Sequence, residues 1–338
     1  MKYTRTLVTG GTGFIGSHLV EELLKQGRNV RVLALPQPLA PIELENLALI
    51  KDKGAEIVYG DLRKTKSLWP AVKGIDSVFH LGGISRPMKI PRREYYNTST
   101  YGTENILEIA RQNNIKKFVH VSSVSVLGVS PDGHPLKEDE FQKKDSDYGL
   151  SKFQGEKRAL KYYRKYNFPV VVIRPCLVYG PRCLVRLIMF LFVKKRLFPL
   201  FNGGRARMEF CYVDNVIHAL LLAEKNDDVI GEVFNITDGQ SYPIKTVLST
   251  IAKELGISSP FINAPVWIGK LAGLTSEFIS GIIGVYPPFS RTAADWMSQD
   301  RNIYDCTKAK KVLGYCPKVS LELGIKKSVE WYKKRGVL

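Results

Sequence analysis

Tyr148 and Lys152 stand four residues apart in "DYGLSK", just ahead of a run of good helix formers. On a helix that spacing puts both side chains on one face, so the ammonium sits beside the phenol or beside something both touch. A free phenol, with a pKa of about 10, is a poor base at neutrality. A neighbouring cation favours the phenolate and lets the pair exchange a proton with a hydroxyl or a ketone. Spacing alone does not separate this chemistry from an exposed helix face, because Tyr304 and Lys308 in "YDCTK" repeat it. A second chemistry is written in "TGGTGFIGSHLVEELL", where Gly10, Gly13 and Gly16 follow a strand-like run and open a helix. Such a turn brings backbone N–H groups close to a pyrophosphate held at the positive end of the helix. About 20 residues further on, dinucleotide-binding chains often place an acid for the ribose 2′-hydroxyl. Here Ala34 and Leu35 supply neither that acid nor an arginine for a 2′-phosphate. Arg28 and Arg31 are close in sequence, so the choice between NAD and NADP stays open.

The elements that must position these residues are legible as texture. "RTLVTG", "NVRVLAL", "AEIVYG", "DSVFHLG", "KKFVHVSS" and "PVVVIRP" are short β-branched runs separated by helix-compatible segments. Continuous apolar strands alternating with helices predict an α/β fold, a doubly wound parallel sheet of the Rossmann type. After residue 175 the chain is richer in Pro, Gly and aromatics, and a late strand in "GEVFNIT" can rejoin the sheet. The expected division is a dinucleotide-binding domain over 1–175 plus 211–238, and a smaller, discontinuous mixed lobe for substrate over 176–210 plus 239–338.

The 338-residue chain is ordinary in its 44% hydrophobic and 24% charged content, which suits a globular enzyme. Its five cysteines and five histidines are scattered, without C-x-x-C or H-x-x-x-H, so neither a disulfide framework nor a metal site is expected. A formal charge of +18 invites an anionic partner. It is dispersed in short pairs without interleaved aromatics, which argues against nucleic acid. The strand-like start predicts no signal peptide and a cytoplasmic location. "LVRLIMFLFV" and the greasy stretch from Ile262 to Phe289 fall short of the ~20 uninterrupted apolar residues of a spanning helix. A peripheral membrane contact and a homodimer both stay open.

With "YGDL", "VFHLGG", "VSSVSVLG", "YGLSK", "RPCLVYGPR" and "FCYVDNVIHALLLAE" in this order, the chain resembles an extended short-chain dehydrogenase/reductase, the grouping of NAD-dependent epimerases and dehydratases. The resemblance implies Ser123, Tyr148 and Lys152 as the catalytic set. It implies a cofactor site of Gly10, Gly13, Phe14, Ile15, Gly16, Asp61, Leu62, Leu81, Gly82, Gly83, Ser99, Val121, Pro175 and Val178, shared with Tyr148 and Lys152. It makes the second Tyr-Lys pair, at Tyr304, structural. On the substrate side it implies Ser85, Ser123, Leu177, Arg182, Arg207 and Met208. Sugar-nucleotide epimerases of this grouping usually carry Asn where Leu177 stands and Arg where Met208 stands, two grips on a diphosphate. Arg182, Arg205 and Arg207 are left as substitutes. The expected function is therefore NAD(P)-dependent hydride transfer at a secondary alcohol or ketone of an apolar, sterol-like or other bulky substrate, as in the 3β-hydroxysteroid-dehydrogenase-like branch. A nucleoside-diphosphate-sugar epimerase or dehydratase is the alternative, and a non-catalytic dinucleotide-binding protein the third reading.

Overall fold

A computed structural model describes residues 3–36, 39–84, 90–144, 146–258, 261–283, 287 and 289–338. The first half alternates strands β1 (Arg5–Thr9), β2 (Asn29–Ala34), β3 (Glu56–Tyr59), β4 (Ser77–His80), β5 (Lys117–Val121) and β6 (Val170–Pro175) with helices. These are α1 (Phe14–Lys25), α2 (Pro41–Asp52), α3 (Trp69–Val72), α4 (Arg92–Tyr95), α5 (Gly102–Gln112) and α6 (Asp147–Tyr166). The second half holds β7 (Leu177–Tyr179), β8 (Phe198–Leu200), β9 (Arg207–Tyr212), β10 (Val233–Ile236), β11 (Ser241–Pro243) and β12 (Phe261–Asn263). Its helices are α7 (Leu184–Lys194), α8 (Val213–Lys225), α9 (Ile244–Leu255), α10 (Val266–Ile283), α11 (Arg291–Trp296), α12 (Thr307–Val312) and α13 (Leu321–Lys334).

Seven strands form one sheet in the order β10-β6-β5-β4-β1-β2-β3. Every pairing in it is parallel. The strand of "GEVFNIT" thus does return, as β10 on the edge beside β6. The central strands β4, β5 and β6 are buried along their whole length, as a sheet covered on both faces requires. Separate apolar clusters cover the two faces. The order reverses between β1 and β4, and the ends of these two strands deliver the glycine turn and "LGG" to the same place. A third apolar cluster belongs to the small lobe, which carries the mixed sheet β11-β9-β7 and the pair β12-β8.

Away from that end, a buried polar knot ties strand starts to α8. Arg28 meets Glu224 at 2.7 Å and also donates to Thr6 and Ser77. Arg31 reaches Glu56 at 2.8 Å and the carbonyls of Pro70, Ala71 and Lys73. Both arginines are thereby committed to the fold.

Candidate active site

The glycine turn is shaped by close backbone approach. Gly10 lies at φ +71°, and a Cβ there would fall 2.8 Å from the amide nitrogen of Gly82. A Cβ on Gly16 would fall 2.1 Å from the Gly10 carbonyl oxygen. Gly13 is the N-cap of α1 and gives no side-chain hydrogen bond, so the first amides of the helix, including those of Phe14 and Ile15, lack an acceptor from the cap. A pyrophosphate would supply one, and the residues present fit a dinucleotide.

The other residues of the expected cofactor site gather round this turn. Leu81 to Gly83 follow β4, and Leu62 lies against Gly82. Gly83 comes close to Ser99, whose hydroxyl accepts the amide of Ile84 at 3.1 Å. Ser99 sits in a π-helical stretch (Tyr96–Tyr101) that leads into α5. Asp61 follows β3 and already holds the Arg63 guanidinium at 2.8 Å, which keeps its carboxyl below the usual range. An adenine amine there would meet a paired carboxylate. Ser85 lies outside the described residues.

Tyr148 and Lys152 are on the first turns of α6, which Ser146 caps by accepting the Gly149 amide. Across from them β5 ends at Val121, and Ser123 caps a single 3₁₀ turn (Val124–Val126). That turn folds Ser125 back, so its hydroxyl donates to the Ser123 oxygen at 3.0 Å. Both hydroxyls lie near enough to the Tyr148 phenol to act on its ionisation. Burial raises its pKa above the ordinary value; the two serines and the Arg186 guanidinium oppose the rise. Lys152 is buried and donates to the Val121 carbonyl at 2.7 Å, which leaves two of its three N–H groups for a bound molecule. Burial pulls its pKa down to about 8, with Glu156 one turn along partly opposing. At neutral pH the centre therefore holds a cationic lysine and an un-ionised phenol flanked by two hydroxyls.

Sequence reasoning missed two residues here. Ser125 is the third position of an S-x-S, and a hydroxyl-capped turn after Ser123 is the signal that would have found it. Arg186 is the one charged residue in "LVRLIMFLFV". It is half-buried on α7 and makes no side-chain hydrogen bond or ion pair among the described residues. A cation in so apolar a run itself asks for a partner.

The expected substrate-side arginines are differently engaged. Arg182 pairs with Glu21 and donates to Ser17 at 3.1 Å, which ties the loop after β7 to α1. Arg207 is exposed and donates to the hydroxyl and carbonyl of Ser241 at 2.9 and 3.0 Å. Leu177 is half-buried, Met208 is buried, and both belong to the apolar core of the small lobe. Pro175 and Val178 lie on β6 and β7 either side of the passage between the two sheets. The second Tyr-Lys pair is dispersed: Tyr304 donates to the Gly128 carbonyl at 3.0 Å, while Lys308 pairs with Glu232 at 2.7 Å. Among the described residues no group of three or more His, Cys, Asp or Glu could hold a metal ion.

The sequence model of the "NAD dependent epimerase/dehydratase family" matches residues 6–237. The sterol-4-alpha-carboxylate 3-dehydrogenase, decarboxylating, of Mus musculus is 28% identical over 97% of this chain and 91% of its own. The 4-hydroxy-2-methyl-3-oxo-4-farnesyl-3,4-dihydroquinoline-1-oxide ketoreductase of Stigmatella aurantiaca is 28% identical, over 95% of this chain and 94% of its own. Among solved structures, UDP-glucuronic acid 4-epimerase from Bacillus cereus in complex with NAD superposes with a TM-score of 0.76. It is 25% identical and covers 98% of this chain and 99% of its own.

Proposed function

From a chain that belongs to the NAD-dependent epimerase/dehydratase family and is an NAD(P)-dependent oxidoreductase, we propose a dehydrogenase or ketoreductase acting on a bulky, apolar secondary alcohol or ketone. The observation that carries this reading is the engagement of Arg182 by Glu21 and of Arg207 by Ser241, next to apolar Leu177 and Met208. A diphosphate set against those two apolar side chains would leave buried charge without compensation unless Arg182 or Arg207 gave up its partner, or Arg186 or Arg205, unpaired among the described residues, reached it. An apolar substrate meets no such cost. Curated relatives of nearly full mutual length, named for a sterol and for a farnesylated quinoline, support the same reading. Likeness of fold does not favour it, since the Bacillus cereus epimerase shares the fold equally.

In this reading Tyr148 exchanges the proton of the substrate oxygen, and Ser123, with Ser125 behind it, donates to that oxygen and fixes its distance from the phenol. Lys152 and Arg186 are the cations that make the phenolate accessible. Gly10 to Gly16 would hold NAD(P), which would supply or accept the hydride at the carbon that bears the substrate oxygen. Lys152, through its free N–H groups, would hold the nicotinamide ribose. Neither Arg28 nor Arg31 is free to bind a 2′-phosphate, which supports modest discrimination between NAD and NADP.

The test is a thermal-shift series with saturating cofactor, together with cofactor reduction by bulky apolar secondary alcohols. UDP and UDP-hexoses are expected to give no shift. An apolar alcohol is expected to support turnover that Tyr148→Phe lowers about 10²–10⁴-fold, the usual worth of a positioned general base. A strong UDP shift that Arg207→Ala abolishes would replace this reading with the sugar-nucleotide epimerase.

A further inference from the structure

Helix α10 is built inside out. After half-buried Val266 at its start, its inward positions Gly269, Gly273, Ser276, Glu277 and Ser280 are small or polar. Trp267, Leu271, Phe278, Ile279, Ile282 and Ile283 point to solvent and are 51–72% exposed. Scattered apolar residues on a surface need no explanation, but a continuous stripe along one helix marks a contact. Rotating the helix cannot hide the stripe. A Cβ on Gly269 would fall 2.4 Å from the Phe201 ring, and one on Gly273 would fall 2.5 Å from the Arg291 nitrogen. Two ion pairs hold the present orientation, Glu277 to Arg291 at 2.8 Å and Lys270 to Asp295 at 3.0 Å.

The surroundings indicate what covers the stripe. Strand β12, just before α10, pairs with β8, which follows "KKRL" at the end of α7. Lys194, Lys195 and Arg196 are exposed there and make no ion pair among the described residues, and Leu197 beside them is 52% exposed. Residues 184–205 contain five Lys or Arg and no Asp or Glu. A second copy meeting this lobe about a two-fold axis would bring the same uncompensated cations together. An anionic bilayer supplies both an apolar layer for the stripe and counter-charge for the lysines. No helix among the described residues is long and apolar enough to cross a membrane, so the contact is one of lying on the surface.

We propose that the small lobe docks onto anionic lipid bilayers, with the outer face of α10 in the interface and Lys194, Lys195 and Arg196 on headgroup phosphates. The proposal goes beyond the reading of the active site and stands whichever substrate that site takes.

The experiment is flotation of the full chain with phosphatidylcholine vesicles, with and without phosphatidylglycerol. The wild type is expected to float with the anionic vesicles, less so at high salt, and at least tenfold less after Phe278→Asp with Ile282→Asp. Lys194→Gln with Lys195→Gln is expected to weaken binding several-fold. Unchanged melting temperature and cofactor binding show that the variants are folded. Independently of them, brominated lipid should quench wild-type emission more than that of Trp267→Phe. The proposal is overturned if the wild type ignores anionic vesicles, or if the Phe278/Ile282 variant binds them undiminished. It is equally overturned if the wild type is a dimer that the same variant splits, because a second copy then covers the stripe.

Discussion

A guanidinium on α7 helps decide when Tyr148 can accept a proton. Arg186 lowers the Tyr148 pKa against the rise that burial imposes. Arg186→Gln should therefore move the ascending limb of kcat/KM against pH, in the alcohol-oxidising direction, to higher pH, whereas Arg186→Lys should hold it near the wild-type position. A variant that merely loosened α7 would lower the plateau and leave the limb in place. The triplet Ser123, Tyr148 and Lys152 was legible from ordered motifs, and the structure brings the three together at the mouth of β5. Arg186 was not, because it lies on a different element, 38 positions after Tyr148, and only tertiary packing brings the two close. The same limit hid the fates of Arg28 and Arg31, since the carboxylate that holds Arg28 is 196 residues away.

At the scale of the element, the glycine turn makes a graded prediction. A methyl at Gly16 would meet the Gly10 carbonyl and the Gly11 backbone, which cannot step aside. Gly16→Ala should cost about 1–3 kcal/mol of stability as an overpacked site, and calorimetric titration should show dinucleotide affinity reduced at least tenfold. At Gly13 the same methyl would sit 3.2 Å from the Gly10 carbonyl oxygen, a contact that small shifts relieve. Gly13→Ala should thus keep most of the stability and much of the affinity. The turn could be read in advance because its geometry is local: strand, three glycines and helix are contiguous. The run in "GEVFNIT" marked a late strand able to rejoin the sheet, and β10 does so beside β6. The inverted face of α10 was not, because its apolar residues are periodic whichever side meets the protein, and only the contacts at Gly269 and Gly273 fix the orientation.

For the whole molecule, acid groups pull stability in two directions as pH changes. Burial raises Glu209 to about 7 and Asp238 to about 6. A carboxyl with a raised folded-state pKa contributes stability that is complete below its unfolded value near 4 and is lost as pH rises through the folded value. Glu108, lowered to about 2 chiefly by Arg111, acts oppositely: its contribution is present above its unfolded pKa and is lost as pH falls through the folded one. The exposure of that ion pair keeps this second effect small. Burial also lowers the pKa values of His18, His80 and His120. These imidazoles, which must charge on unfolding, contribute stability that is lost as pH falls below about 6.5. They offset the two raised carboxyls, so the melting temperature should hold or rise between about pH 5 and 6.5. Glu209→Gln removes one of the raised carboxyls, so its melting temperature relative to the wild type should be higher at about pH 7 than at about pH 5, and scanning fluorimetry across the range checks it. Asp238 is anchored by the Tyr212 amide and by Asn215, whose amide oxygen also takes the Lys318 and Val319 N–H groups. The "YVDN" motif is in this way a clamp on the C-terminal segment.

The late arrival of β10 has a consequence on the ribosome. Strand β6 is the apolar run "VVVIRP", and the partner that closes its outer edge is made only after about 60 further residues. At about 5–20 residues per second that interval lasts about 3–12 s, with an unpaired hydrophobic edge on the nascent chain. Synthesis of this protein should therefore lean on chaperones that shield strand edges, and a stall between residues 176 and 232 would leave the sheet open at its most adhesive side.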